Sequence, residues 1–133
     1  MGNNNRPAQG SNWRSLQERG IHSSAFRGYY MYAQIPSTSA GKRPDYYGIS
    51  KTNPKDKIVG DSKNVAVLTK QHVDQVKDYK GYPYFAQKGV IIVRLTTKVP
   101  PEIEEYANKS NIRIVKMSAK EEAEEKSFWD WFK

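Results

Sequence analysis

Apolar and polar residues repeat with a period of two in the first half of the chain, which predicts strands. The stretch Tyr29–Ile35 reads YYMYAQI, so its alternate residues share one face of a strand. Two further strands are expected over Arg43–Ile49 and Lys57–Val67, because a turn-forming segment with Asn53-Pro54 at its middle separates them. The first half of the chain therefore contains three predicted strands, of which the second and third form a hairpin.

Helical periods precede and follow these strands. Thr69 suits the N-cap of a helix over Lys70–Tyr79, which Gly81 and Pro83 end. The solid apolar run VIIVRL predicts a strand that is buried on both faces. Further helices are expected over Trp13–Gly20, over 100–111 and over Ala119–Phe132, and Pro100 would take the first helical position of the second of these. Further strands are expected over Val90–Leu95 and Ile112–Val115.

The expected order of elements is αβββαβαβα, which predicts an α/β (α+β) fold with a mixed β-sheet flanked by helices. The 133 residues suit one domain, and we expect a flexible lead over 1–12 and a single domain over 13–133. No apolar run approaches the ~18 residues of a membrane span, and no secretory signal is expected on this chain. The absence of cysteine excludes a disulfide scaffold and thiolate chemistry.

The formal net charge of +8 is unevenly distributed along the chain. Residues 1–98 contain 16 Lys and Arg against 6 Asp and Glu, whereas residues 99–133 carry a small negative net charge. A basic body suits a polyanion such as nucleic acid, because each phosphate contact releases counterions. Ordinary surface charge that keeps the protein in solution is the alternative.

Two carboxylates and a lysine carry the candidate chemistry. With the turn centred on Asn53-Pro54, Asp45 lies opposite residue 62, give or take one, and therefore beside Asp61 or Lys63. Asp61 and Lys63 are two positions apart, so their side chains share one face of the strand. Each of the three residues suits an ordinary turn or edge-strand role when taken singly, but together they indicate catalysis.

Paired carboxylates repel each other and favour a hard cation between them. Mg²⁺ or Mn²⁺ is the expected cofactor, because both ions prefer oxygen ligands. Asp45 and Asp61 would hold the ion, which lowers the pKa of a bound water. Lys63 would orient or deprotonate that water, or offset the charge that develops on the phosphate.

The segments Pro44-Asp45 and Asp61-Ser62-Lys63 resemble the PD-(D/E)xK motif of restriction-endonuclease-like nucleases. The second part of that motif is often Glu-x-Lys, and Asp61 shortens its reach by one methylene. Over about residues 41–116 the chain is also similar to the C-terminal nuclease-toxin domains of bacterial contact-dependent and polymorphic toxin systems, in the segments RPDYYGI, DKIVGDSKNV, LTKQHVDQVKDYKG, VIIVRL and IRIV. These resemblances imply a restriction-endonuclease-like fold and a metal-dependent endonuclease.

The resemblance also implies further site residues. The helix after the motif often carries a Gln and a Tyr that face the site, so Gln71 or Gln75, together with Tyr79, would complete it. Many relatives add an acidic metal ligand from the first helix, and Glu18 is the only acid before Asp45. A toxin domain implies a cognate immunity protein, delivery as part of a larger toxin, and action in the cytoplasm of the target cell.

Four basic residues flank the proposed site and are candidate nucleic-acid contacts, although each also suits a solvated surface position. They are Lys42, Arg43, Lys70 and Lys77. His22 and His72 are isolated in the sequence, so we expect surface positions for them and no zinc site. The aromatic residues of the first strand, and those of Phe128–Phe132, suit core packing better than base stacking or partner docking.

Three functions follow from these observations. The favoured one is a metal-dependent endonuclease that cleaves DNA, or RNA such as tRNA, as the toxin of a bacterial competition system. The second is a housekeeping nuclease of DNA repair or junction resolution. The third is a non-catalytic nucleic-acid-binding module, against which the two carboxylates argue, because they would repel a bound phosphate.

Overall fold

In a computed structural model, which describes residues 16–32, 35 and 42–117, the chain forms a five-stranded sheet with helices on both faces. The elements in chain order are the helical residues 16–20 (α1), a 3₁₀ turn (Ser24–Phe26), β1 (Tyr29–Met31), β2 (Tyr46–Ser50), β3 (Lys57–Lys63), α2 (Lys70–Tyr79), β4 (Lys88–Arg94), α3 (Pro101–Lys109) and β5 (Ile112–Met117). Over these residues, no helix has the length and apolar character that a membrane span requires.

The sheet is mixed, with the strand order β1-β2-β3-β4-β5. Strands β1, β2 and β3 pair antiparallel, whereas β3, β4 and β5 pair parallel. Parallel neighbours need crossover connections, and α2 and α3 supply them. The expected order of elements is confirmed from α1 to β5, while the expected last helix and the expected lead over 1–12 lie outside the described residues.

Several boundaries differ from the predicted ones, and β2 begins at Tyr46 instead of Arg43. Strand β1 pairs with β2 over three residues, so it is shorter than its alternating pattern suggested. Strand β3 ends at Lys63, its last partner of β4, and Val67 forms only an isolated bridge outside the strands. Pro100 is the N-cap of α3 and Pro101 is its first helical residue, because the backbone of Pro100 is still extended.

Apolar clusters on the two faces of the sheet hold the helices in place. On one face, Val73 and Val76 of α2 pack with Val59 of β3. On the opposite face, Leu16 of α1 packs with Tyr46 of β2. Since Val73 and Val76 must both point into the core, their burial fixes the rotation of α2 about its axis. That rotation decides which polar side chains of α2 reach the end of β3.

Tyr46 attaches α1 to the sheet. Its hydroxyl donates a hydrogen bond to the carbonyl oxygen of Gln17 over 2.7 Å. Burial raises the pKa of Tyr46 well above its ordinary value, so the hydroxyl keeps the proton that it donates. A Cβ atom on Gly20 would lie 2.2 Å from the same hydroxyl, so the helix can approach Tyr46 only because this position has no side chain.

Gly60 lets β3 lie close to its neighbours directly before Asp61. A Cβ atom at this position would lie 2.7 Å from the carbonyl oxygen of Val90 and 3.2 Å from the ring of Tyr46. The backbone of β4 cannot yield as a flexible side chain can, so a larger residue would displace β3. Such a displacement would also move the carboxylate of Asp61.

We expect Gly60→Ala to lower the free energy of unfolding by about 1–3 kcal/mol, because the added methyl group overpacks against β4. Chemical denaturation measures this change. Gly81→Ala is the matched control, since its Cβ atom would make an ordinary contact of 3.4 Å with the carbonyl oxygen of Asp78. The control should change stability by less than about 0.5 kcal/mol. Equal losses in the two variants would contradict the close-approach explanation.

Candidate active site

The hairpin of β2 and β3 places Asp45 beside Asp61. Tyr46 pairs with Gly60, and one further step of the same register sets Asp45 opposite Asp61. The backbone N–H of Asp45 donates to Oδ1 of Asp61 over 3.0 Å. The predicted register is therefore confirmed within its stated range of one residue.

The two strands hold the two carboxylates reciprocally. Asp61 accepts the hydrogen bond from the backbone of Asp45, while Oδ2 of Asp45 accepts from the backbone N–H and the hydroxyl of Ser62 over 2.8 and 3.0 Å. Each carboxylate is thus fixed by the strand opposite its own. Oδ1 of Asp45 has no hydrogen-bond partner within the described part of the chain, and it is available to a ligand.

Lys63 links the carboxylates to α2. Its Nζ lies 3.0 Å from Oδ2 of Asp61 and donates a hydrogen bond to Oε1 of Gln75. The amide nitrogen of Gln75 in turn donates to the hydroxyl of Tyr79 over 3.2 Å. This chain of contacts leaves the lysine side chain only 17% exposed and directs its amine towards Asp61.

The carboxylate of Asp61 is buried beside a second carboxylate, which disfavours its charged form. Burial, and after it the charge of Asp45, raise the pKa of Asp61 to about 6, although the nearby Lys63 acts in the opposite direction. Its side chain is only 6% exposed. The carboxylate of Asp61 is therefore repelled by Asp45 and attracted by Lys63, and its burial limits screening by water.

This donor set fits a hard divalent cation such as Mg²⁺ or Mn²⁺. Such ions accept carboxylate oxygens and keep several waters, so two protein carboxylates suffice for binding. Within the described residues, Oδ1 of Asp45 has no hydrogen-bond partner, and a cation would offset the repulsion that raises the pKa of Asp61. Among the residues described, no group of three or more His, Cys, Asp and Glu side chains could hold a metal ion.

Glu18 does not join Asp45 and Asp61 in one group, so the structure does not form the metal ligand expected from the first helix. Glu18 is exposed on α1 and shares with Asp45 the lining of a separate cavity of about 500 Å³. Glu18 lies apart because α1 packs on the face of the sheet opposite α2, where Leu16 of α1 contacts Tyr46 of β2.

Helix α2 presents Gln75 and Tyr79, and not Gln71, to the site. Both residues line a cavity of about 440 Å³ together with the two carboxylates and Lys63. Gln71 is exposed and does not line this cavity. Of the two glutamines that the sequence left as candidates, the rotation of α2 therefore brings Gln75 to the site.

Of the four predicted basic contacts, Arg43 lines the cavity and the other three do not. Lys77 donates to the hydroxyl of Tyr106 over 3.0 Å, and the amines of Lys70 and Lys77 lie 5.3 and 4.8 Å from the centre of that ring. Lys70 and Lys77 therefore face α3, because seven residues bring a helix back to the same side. Lys42 is exposed outside the cavity.

The sequence reasoning missed four residues that line the cavity, Ser62, Asn64, Val65 and His72, of which Ser62 and His72 have a clear place in the site. Ser62 fixes Asp45, and its position between Asp61 and Lys63 was the available signal. His72 was expected at the surface, but it is half-buried beside the site. Its signal was its place one helical turn before Gln75. The other histidine, His22, is exposed as predicted.

A separate cavity of about 360 Å³ lies near the beginnings of β4 and β5. Arg27, Lys88 and Arg113 line it, but no acidic side chain or histidine among the described residues does. The candidate chemistry therefore belongs to the cavity that holds Asp45, Asp61 and Lys63, which we call the carboxylate cavity.

The chain matches no protein-family model and no curated protein. Its structure is similar to the crystal structure of a repair endonuclease from Pyrococcus abyssi, with a TM-score of 0.57 and 16% sequence identity over 80% of this chain. The match covers 47% of that endonuclease, so this chain spans about half its length. The similarity shows a shared fold, and the predicted class, a mixed sheet flanked by helices, is confirmed.

We expect Asp61→Asn to stabilise the metal-free protein at pH 7.5 by about 2 kcal/mol, because it removes a buried and repelled charge. The asparagine oxygen can still accept from the backbone of Asp45. Denaturation with urea in the presence of EDTA measures the difference between variant and wild type.

The pH dependence of this difference follows from the sign of the shift. The pKa of Asp61 is raised in the folded state, so the wild type binds an extra proton on folding and gains stability as the pH falls through about 6. The advantage of the variant should therefore shrink to less than about 1 kcal/mol at pH 4. Asp78→Asn, an exposed change of the same charge on α2, serves as the control. An advantage that grows on acidification would contradict the explanation.

Proposed function

We propose that this protein is a metal-dependent endonuclease of the PD-(D/E)xK type, which hydrolyses phosphodiester bonds in nucleic acid. The proposal rests on the geometry of Asp45 and Asp61. A hydrogen bond from the backbone across the hairpin fixes each carboxylate, and the amine of Lys63 lies 3.0 Å from Asp61. The basic body of the chain and the fold shared with a repair endonuclease support the same proposal. DNA is the favoured substrate, and RNA such as tRNA is the alternative.

Asp45 and Asp61 would hold Mg²⁺ or Mn²⁺, and Oδ1 of Asp45, which no described residue contacts by a hydrogen bond, would serve as a ligand. When bound, such an ion lowers the pKa of a coordinated water and polarises the phosphate. The bonds from Asp45 N–H and Ser62 keep the carboxylates in place before any ligand arrives, so little reorganisation is needed on binding.

Lys63 would act on the attacking water and on the phosphate. Its contacts with Asp61 and Gln75 leave the amine at the wall of the carboxylate cavity, where it can orient the water and offset developing negative charge. In hydrolysis the water oxygen bonds to phosphorus and loses a proton to solvent, while the bond from phosphorus to the leaving oxygen breaks and the leaving oxygen keeps the electron pair and takes a proton from solvent. Gln75 and Tyr79 would restrict Lys63 to positions that serve this step.

The biological role has two candidates. The sequence resemblance favours the toxic domain of a bacterial competition system with a cognate immunity protein, whereas the fold similarity to a repair endonuclease favours a repair enzyme. Expression without a partner discriminates between them. A toxin should stop growth of its host and Asp61→Asn should abolish that effect, whereas normal growth with an active enzyme would support the repair role.

We expect the wild type to cleave plasmid DNA with Mg²⁺ or Mn²⁺ and to leave it intact in EDTA. Asp61→Asn and Lys63→Ala should each lower the cleavage rate by about 100-fold or more, because each removes a group that acts in the transition state. Mg²⁺ should raise the melting temperature of the wild type and not of Asp61→Asn, since only the wild type has both carboxylates.

The same assay with tRNA beside plasmid DNA identifies the substrate. Lys77→Ala is the control, because this lysine contacts Tyr106 away from the carboxylate cavity. Cleavage by Asp61→Asn at the wild-type rate would contradict the proposed mechanism. Salt-sensitive binding of either nucleic acid without any metal-dependent cleavage would instead support a binding module.

We expect Arg43→Ala to weaken the binding of a DNA duplex in EDTA, because Arg43 lines the carboxylate cavity and would contact a phosphate there. The slope of the logarithm of the binding constant against the logarithm of the salt concentration should become smaller by about one. Fluorescence anisotropy at several salt concentrations measures both quantities. Lys77→Ala removes the same charge from the side of α2 that faces α3, and it should change affinity by less than about twofold. Equal effects would show that net charge, and not position, determines binding.

A further inference from the structure

His72 occupies the third position of α2, three residues after the N-cap Thr69. In a capping box this position carries Glu or Gln, whose side chain accepts a hydrogen bond from the backbone N–H of the cap residue. Here the imidazole takes that role, because the backbone N–H of Thr69 donates to Nδ1 of His72 over 3.0 Å. The ring is therefore held at the start of the helix by one of its two nitrogens.

This contact determines the tautomer of His72. A backbone N–H is only a donor, so Nδ1 must be the acceptor and cannot carry a proton. The imidazole is then neutral, and its proton resides on Nε2. The hydroxyl of Thr69 also lies 3.2 Å from Nδ1 and leaves this assignment unchanged. Within the described part of the chain, Nε2 has no hydrogen-bond partner.

The surroundings of His72 agree with a neutral ring beside the site. The side chain is half-buried and lines the carboxylate cavity with Lys63 and Arg43. Burial, and after it the charge of Lys63, lower the pKa of His72 below its ordinary value. A neutral donor at this point avoids repulsion with Lys63 and still offers a proton to an anionic ligand.

We infer that His72 binds the substrate phosphate, donating a hydrogen bond from Nε2 to a non-bridging phosphate oxygen in the carboxylate cavity. The inference rests on the proposed function, since it takes the ligand to be a phosphodiester. Lys63 and Arg43 supply charge, whereas His72 supplies a donor whose direction is fixed by Thr69. It thus fixes the position of the phosphate and is not a base for the water.

Three substitutions separate this role from the capping role. His72→Gln keeps an acceptor for Thr69 and an N–H donor for the phosphate, whereas His72→Glu keeps the acceptor and replaces the donor by a carboxylate. His72→Ala removes both. Asn53→Asp is the control for added negative charge, because its side chain can still accept from the backbone of Lys55 in the hairpin turn.

The readouts are the melting temperature and the affinity for a fluorescein-labelled DNA oligonucleotide in EDTA. We expect the Gln and Glu variants to melt within about 3 °C of the wild type and the Ala variant to melt several degrees lower, because only Ala loses the acceptor for the backbone N–H of Thr69. The Gln variant should bind within about threefold of the wild type, and the Glu variant about tenfold or more weakly. Asn53→Asp should bind within about twofold.

A second measurement reads the tautomer directly. Long-range ¹H–¹⁵N NMR at pH 7 should show the Nε2–H form of His72, and the oligonucleotide should shift the Nε2 resonance. A proton on Nδ1, or equal affinity of the Glu and Gln variants, would overturn the inference.

The failure of this inference is distinguishable from that of the proposed function. Metal-dependent cleavage by the wild type, with equal DNA affinity of the Glu and Gln variants, rejects the role of His72 alone. Binding in EDTA that follows the expected order, without any cleavage in Mg²⁺, supports the phosphate contact and rejects the nuclease. Absence of oligonucleotide binding by the wild type in EDTA rejects the role of His72, and absence of both this binding and cleavage in Mg²⁺ rejects both.

Discussion

Hydrogen bonds across the hairpin of β2 and β3 hold two carboxylates that would otherwise move apart. Hydrogen bonds to a charged group contribute about 1.5–3 kcal/mol each, and three of them join Asp45, Asp61 and Ser62. The bond from the backbone of Asp45 acts against the burial and the repulsion that raise the pKa of Asp61. The position of Lys63, the shape of the carboxylate cavity and the fit to a divalent cation all depend on this arrangement.

The parts of the structure that could be predicted are those that neighbouring residues determine. The turn at Asn53-Pro54 fixed the hairpin register to within one residue, because antiparallel pairing counts outwards from the turn. The bounds of α2 followed from the cap at Thr69 and the residues after Tyr79. The pairing of Asp45 with Asp61 was accessible for the same reason, since both lie in one hairpin.

The parts that could not be predicted depend on contacts between distant elements. Lys70 and Lys77 face α3 through Tyr106, and nothing near α2 in the sequence reveals that partner. The position of Glu18 follows from the face of the sheet on which α1 packs, and the sequence pattern of a short helix leaves that face undetermined. His72 reaches the cavity because the burial of Val73 and Val76 sets the rotation of the helix.

Main-chain amides supply two of the three donors that hold the paired carboxylates. Every residue except proline possesses such an amide, so the support depends on strand pairing more than on the identity of adjacent side chains. Residues around the site can therefore diverge in evolution while the two acids stay in register. In such a fold, the residues that line the pocket can change, and the substrate with them, while the two carboxylates keep their positions.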